Sequence, residues 1–332
     1  MSTLSLDVYL DSYLAPLAPF LARSDITDIY INRPGELWIE SLGGKAERIE
    51  LPSLTGAVLA RLARQIAAAN AQGISREHPL LSGSLPDGSR VQIVLPPATR
   101  GEIAVAIRKH VLAGMSLGDY AASGAFEGAK VGTADLSHSP EAEVREASGD
   151  VMGMLRAAVH SRKNILISGG TATGKTTFLN ALLREIPEHE RLILIEDTPE
   201  LGVRHPNAVG LLAARGALGE AAVTAEDLLI ASLRMRPDRI ILGEMRGTEA
   251  LTFLRAVNTG HPGSLSTIHA DSPERAVDQL ALLVLQSGMR MEWDDVTRYI
   301  SRSLDFIIQL DRVDGRRAVR DILRLGEDYG ER

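Results

Sequence analysis

No cysteine occurs among the 332 residues. That excludes disulfides and any thiolate metal site, and it suits a reducing compartment. Aromatic side chains are scarce, at 4% of the chain, and the formal net charge is -7 at pH 7. A groove that tracks nucleic acid needs a basic stripe and stacking rings, so both shortages weigh against one. Long hydrophobic runs are missing as well: no stretch of about 18 apolar residues is present to span a bilayer. The apolar start MSTLSLDVYLDSYLAPLAPFLA carries Asp7 and Asp11 where a signal peptide has basic residues. The expectation is a cytoplasmic protein. Core material, by contrast, is ample. Apolar residues make up 45% and charged residues 24%, over a length that predicts two domains.

Residues 4–22 space apolar positions at roughly helical intervals, interrupted by Pro16 and Pro19, and read as a helix packed on its own domain. DIYINRPGELWIE alternates with period two on both sides of a Pro-Gly turn, which predicts a hairpin. Residues 53–71 predict an Ala/Leu-rich helix capped by Ser53. LPDGSRVQIVLPP and GEIAVAIRKH read as two strands, the first opened by an Asp-Gly turn. Together they predict an α+β N-terminal domain over residues 1–112. Residues 113–150 are rich in Gly, Ala and Ser and turn acidic in PEAEVREASGD, so they read as a linker that permits large movement or exchange of domains. Over residues 151–332 strand-like runs (NILIS, RLILIE, RIILGE, SLSTIH) alternate with helical ones, one of them opened by a capping box at Thr224 and Asp227. This repetition predicts an α/β domain with a mainly parallel sheet covered on both faces, closed by an antiparallel hairpin from DFIIQL to AVRDILRL.

The pattern G-x-x-x-x-G-K-[ST] matches at Gly169, Gly174, Lys175 and Thr176, directly after NILIS and before a helix. Such a loop turns backbone N–H groups into one concavity, the helix N-terminus adds positive potential, and the lysine neutralises the outer phosphates. Gly169, Gly170, Thr171, Ala172, Thr173, Gly174, Lys175, Thr176 and Thr177 are therefore the candidate phosphate cradle, with Thr176 placed to hold magnesium. Cleavage also needs carboxylates at the ends of neighbouring strands. Glu196 and Asp197 follow LILI, and Glu244 follows IILG. His269 closes SLSTIH as a neutral donor to, or sensor of, a γ-phosphate.

Four stretches, ISGGTATGKTT, IEDTPEL, SLRMRPDRIILGEMRG and TGHPGSLSTIHA, resemble in order and spacing the nucleotide boxes of the secretion ATPases. Within that superfamily the chain most resembles the traffic ATPases of type IV secretion systems, and NRPGE and LPDGSRVQIVLPP extend the likeness to the N-terminal region. The resemblance implies a RecA-like C-terminal ATPase domain that uses ATP and Mg2+. It also implies an N-terminal domain meeting its neighbours in a homo-hexameric ring, with nucleotide between the two domains. It assigns Lys175 and Thr176 to the phosphate box, Glu196, Asp197 and Glu200 to the acidic box, Glu244 to the second strand motif and His269 to the histidine box. Thr176, Glu200 and Glu244 become the candidate metal ligands, and Arg90 and Arg108 the N-terminal arginines that reach the γ-phosphate. The implied partners are inner-membrane secretion subunits, with the protein peripheral at the cytoplasmic face and no sequence-specific nucleic acid. Ala172 and Thr173 stand where these loops usually have Gly and Ser, and Gly243 where many other P-loop enzymes have aspartate. Whether Glu196 or Glu244 activates water stays open at this stage. The competing readings are a pilus-assembly or type II secretion ATPase, a DNA-translocating motor and a nucleotide-gated scaffold. Many of the first carry a tetracysteine zinc module, which this chain cannot build.

Overall fold

The computed structural model describes residues 4–41, 45–109, 114–134, 143–146, 149–202, 205–213, 222–313 and 316–325. The chain divides into two units, Met1–Val111 with Ala214–Thr224, and Leu112–Ala213 with Ala225–Arg332.

In the first unit, α1 (Leu4–Leu14) and α2 (Ala18–Leu21) precede β1 (Ile26–Ile31), β2 (Glu36–Ser41), β3 (Ala46–Glu50), α3 (Gly56–Ala69), β4 (Leu80–Ser84), β5 (Arg90–Val94) and β6 (Ala104–Arg108). The strands form one antiparallel sheet in the order β3-β2-β1-β6-β5-β4. The Pro-Gly turn makes the β1–β2 hairpin, with Gly35 at φ +84°, a conformation glycine adopts without a Cβ clash. Thr55, rather than the expected Ser53, caps α3: its extended backbone lets the hydroxyl accept from the Val58 N–H at 3.3 Å. Leu59, Leu62 and Ile66 of that helix are fully buried with Ile29, Ile31, Ile93 and Ile107 of the sheet. Alternation along the strands then sends Arg90 and Arg108 to the opposite face.

The second unit contains α4 (Leu117–Ala122), β7 (Lys130–Ala134), β8 (Glu143–Glu146), α5 (Val151–His160), β9 (Ile165–Gly169), α6 (Lys175–Leu183), β10 (Leu192–Glu196) and β11 (Ala208–Leu212). It continues with α7 (Ala225–Ser232), β12 (Arg239–Leu242), α8 (Glu249–Asn258), β13 (Leu265–Ile268), α9 (Pro273–Gln286), α10 (Trp293–Ser303), β14 (Phe306–Val313) and β15 (Arg316–Leu325). Nine strands form one sheet in the order β11-β10-β12-β13-β9-β14-β15-β7-β8. From β11 to β14 every pairing is parallel. Strands β9, β12 and β13 are buried at every position, as unbroken apolar runs require when helices cover both faces. The core on one face includes Leu155 of α5 and Phe178 and Leu182 of α6, and that on the other is built from α7 to α10. No helix among the described residues is long and apolar enough to cross a membrane.

The stretch expected to be a linker, residues 113–150, contributes α4, β7 and β8 to this unit. β7 pairs in parallel with β15, and β8 pairs with β7. Leu117 and Tyr120 are buried, Tyr120 with its ring edge-on to Phe178 at 5.1 Å between centroids. Small residues that read as flexible spacing, among them Ala125 and Ala129, are instead packed into the core.

Among the described residues, the Arg239–Glu190 ion pair is buried at the starts of the parallel strands. Arg239 Nε and Nη2 donate to the two carboxylate oxygens of Glu190 at 2.7 and 2.8 Å, and Nη1 donates to the Val159 carbonyl at 2.8 Å. The Arg239 hydrogen bonds hold the Glu190 carboxyl below the usual carboxylate range. Without Arg239 the buried Glu190 carboxylate keeps, among the described residues, only the part-exposed Arg162, at 3.2 Å, as a cation, so Arg239→Met is expected to lose about 3 kcal/mol in urea unfolding, the low end for a broken buried pair. A depressed carboxylate contributes fully above the usual carboxylate range, and the contribution is lost as pH falls through the folded value. The gap between wild type and Arg239→Met should therefore narrow in acid.

Candidate functional site

The carboxyl end of β9 is where the sheet runs into its phosphate-loop motif. Gly169 ends the strand opposite Leu310 of β14. A Cβ there would lie 2.5 Å from Thr173 Oγ1 and 2.9 Å from the Leu310 carbonyl oxygen, so only glycine lets the loop close this tightly. Ala172 takes φ +63° and Gly174 takes φ +95°, two left-handed turns that coil the loop before α6. Thr173 locks the coil by donating from Oγ1 to the Gly170 carbonyl at 2.9 Å. Lys175 is the first residue of α6, and its ammonium sits at the loop mouth, donating to the Gly169 and Gly170 carbonyls at 2.8 and 3.1 Å. Thr176 and Thr177 follow, half-buried, in the first turn, where helical N–H groups lack intrahelical partners. These features make an anion cradle with a cation at its rim.

The strand-end acids lie on β10 and β12, which are hydrogen-bonded neighbours. Glu196 Oε2 accepts from the Glu200 and Leu201 N–H groups at 2.8 and 3.0 Å, and so shapes the turn that carries Asp197 and Glu200. Asn180 of α6 braces the same turn through the Glu200 carbonyl and the Gly202 N–H. Gly243 explains the missing aspartate: a Cβ there would stand 3.1 Å from Glu196 Cβ, where the two strand ends crowd together. Thr267 holds the next turn by donating to the Gly243 carbonyl at 2.8 Å and accepting from the Met245 N–H at 2.9 Å. Glu244 is thereby fixed between two anchored neighbours. Arg246 pairs with Glu244 and lies 3.7 Å from Asp197, bridging the two acids. His269 is exposed just past β13, and the Ala270 carbonyl after it accepts from Ser168 Oγ and Gln309 Nε2. Among the described residues no group of three or more His, Asp or Glu is placed to hold a metal by itself. Magnesium keeps several waters and borrows phosphate oxygens, so a threonine hydroxyl beside the cradle fits it.

Arg90 and Arg108, in the first unit, are direct cross-strand partners, and Arg108 is in turn the partner of Asp28. Like charges placed opposite each other on a sheet weaken it.

The family profile described as Type II/IV secretion system protein matches residues 11–322. The type IV secretion system protein VirB11 of Bartonella henselae is 39% identical over 324 residues, 93% of this chain and 91% of that protein. The chain belongs to the type II/IV secretion system protein family. PtlH, a type IV secretion system protein of Bordetella pertussis, is 38% identical over 94% of this chain and 93% of its own length. The crystal structure of the pilus retraction motor PilT with bound ADP shares the fold, with a TM-score of 0.60 at 21% identity, covering 96% of this chain and 83% of that one. This secretion-family protein is a P-loop ATPase with a RecA-like sheet, and its relatives set it on the type IV side.

Within this secretion ATPase, sequence reading misses two arginines. Arg246 follows Glu244 closely enough that the ion pair is readable in GEMRG once the strand end is known. Arg317 is not readable. It reaches α6 from β15, donating from Nη1 to Thr177 Oγ1 at 3.2 Å across 140 residues of sequence.

Proposed function

We propose that this secretion ATPase works as a homo-hexameric, Mg2+- and ATP-dependent motor that powers substrate transfer or apparatus assembly at inner-membrane secretion subunits. The observation that carries the reading is Lys175, held by two loop carbonyls at the mouth of a glycine-coiled cradle. Gly169 to Thr177 receive the phosphates, and Lys175 offsets charge on the outer ones. Thr176 is the proposed metal ligand, with Glu200 and Glu244 as further candidates; bound magnesium would neutralise phosphate charge there. Glu244 accepts the proton of the attacking water at a carboxylate oxygen, while Arg246 fixes that carboxylate against Asp197. Glu196 positions the acidic turn through its two backbone hydrogen bonds. His269 senses the γ-phosphate.

Arg90 and Arg108 complete the proposal as cations that meet the γ-phosphate, which would account for two arginines at directly opposed positions of neighbouring strands. Their test is hydrolysis together with ADP binding and particle symmetry by electron microscopy. Arg90→Ala and Arg108→Ala are expected to lower turnover by about 10²-fold or more, on the scale of a lost transition-state contact. ADP affinity and the six-fold particle should persist. Full turnover in both variants, or an equal loss of ADP affinity, would remove the arginines from the site.

A further inference from the structure

Outside the motifs, one side chain lies directly on the loop–helix junction. A Cβ built at Gly174 would stand 2.9 Å from Arg317 Cδ, 3.0 Å from Nε and 3.1 Å from Nη1. The Arg317 side chain thus fills the space that a Cβ of Gly174 would take, while Nη1 engages Thr177 Oγ1. Two sides of its position are fixed. On one, β15 is pinned between β14 and β7, with Arg317 opposite Arg312 in the hairpin. On the other, Tyr120 is buried beside it, with burial pushing its phenol up to about 12 against the opposing charge of Arg317. Tyr120 itself is braced by Phe178 of α6.

In a cradle of this type the lysine serves the β- and γ-phosphates, while backbone N–H groups of the loop and first helical turn serve the α- and β-phosphates. Lys175 faces back along the loop to Gly169 and Gly170. Arg317 sits on Gly174 and Thr177, at the other end of the cradle. We infer that Arg317 is a ligand of the nucleotide α-phosphate, supplied by the same chain and shared by ATP and ADP. This rests on the phosphate-loop reading and extends it to a residue outside the nucleotide boxes. Because the α-phosphate stays when the γ-phosphate leaves, Arg317 retains nucleotide through the cycle, in contrast to a γ-phosphate sensor.

Equilibrium binding of ADP to the full-length protein tests it, alongside the two diastereomers of ADP carrying sulfur on the α-phosphate. A charge-assisted contact predicts that Arg317→Ala weakens ADP and a non-hydrolysable ATP analogue by the same factor, about tenfold or more. The variant should also lose much of the wild-type preference between the diastereomers, and Arg317→Lys should recover part of the affinity. Arg317→Gln keeps a donor for Thr177 without the charge. It should bind as weakly as the alanine variant, and it carries the test if alanine does not fold. Affinity for ADP within twofold of wild type in either variant, a loss confined to the analogue, or an unchanged diastereomer preference would overturn the inference. Lys175→Ala is the control. If it too binds ADP normally, the phosphate-loop reading falls; if it alone loses ADP, only Arg317 is misassigned.

Discussion

Replacing Lys175 with alanine is expected to abolish ATP hydrolysis while leaving the fold in place. Its ammonium is set at the first residue of α6 and held by the Gly169 and Gly170 carbonyls, so the charge is positioned before any ligand arrives. A preorganised charge of this kind costs no reorganisation as the transition state forms, and losing one such donor costs about 10²–10³-fold in rate. Lys175 is the charged group of the motif itself, so the larger figure is the expected one, with residual turnover well under a tenth. Stability should hardly move, because the side chain is half-buried at the loop and takes no part in the apolar core. Steady-state hydrolysis measured beside thermal unfolding checks both halves. Turnover above about a tenth of wild type in a folded protein would defeat the assignment.

Glu244→Gln is expected to separate binding from chemistry. The substitution keeps the shape and removes the proton acceptor, so turnover should fall by about 10²–10⁴-fold, the usual contribution of general base catalysis. Nucleotide affinity should stay close to wild type. The hydrogen bonds of the neighbouring acid argue for the opposite pattern in Glu196→Gln. Glu196 spends Oε2 on the Glu200 and Leu201 N–H groups, and it carries Asp197 and Glu200 with that turn. Its amide would replace a charged acceptor by a neutral one and loosen the turn, so affinity, turnover and melting temperature should drop together. Paired titrations and hydrolysis rates for the two variants decide between the acids. If Glu196→Gln bound normally and failed only in turnover, the roles would be exchanged.

Much of the second unit was legible because its information is local. Unbroken apolar runs at NILIS, LILI and RIIL mark strands buried on both faces, and each strand meets its catalytic candidates within a residue or two. The hairpin around Gly35 was readable for the same reason. Residues 113–150 were not. β7 is a short strand of mixed character, KVGTA, whose stabilising partner β15 lies some 190 positions onward in register, as Asp321 against Lys130. Composition alone therefore suggested a tether where a sheet edge forms. The cap of α3 slipped from Ser53 to Thr55 because both are good capping residues, and only backbone conformation selects between them. Arg317 escaped notice because nothing in VDGRR indicates that the hairpin folds back over Gly174. The direct pairing of Arg90 with Arg108 was likewise a matter of register, invisible until β5 and β6 are aligned.

The Arg239–Glu190 pair gives the sheet a mechanical asymmetry. It ties the lead-in to β10, the first residue of β12 and the end of α5 at the roots of the strands, while the cradle and its acids occupy the tips. A rivet at the root resists sliding of one strand past another, since any slip would pull the charged Arg239 fork off the Glu190 carboxylate inside the core. The phosphate loop and the acidic turns lie at the far end of these strands, where hydrogen bonds within the loops set their shape.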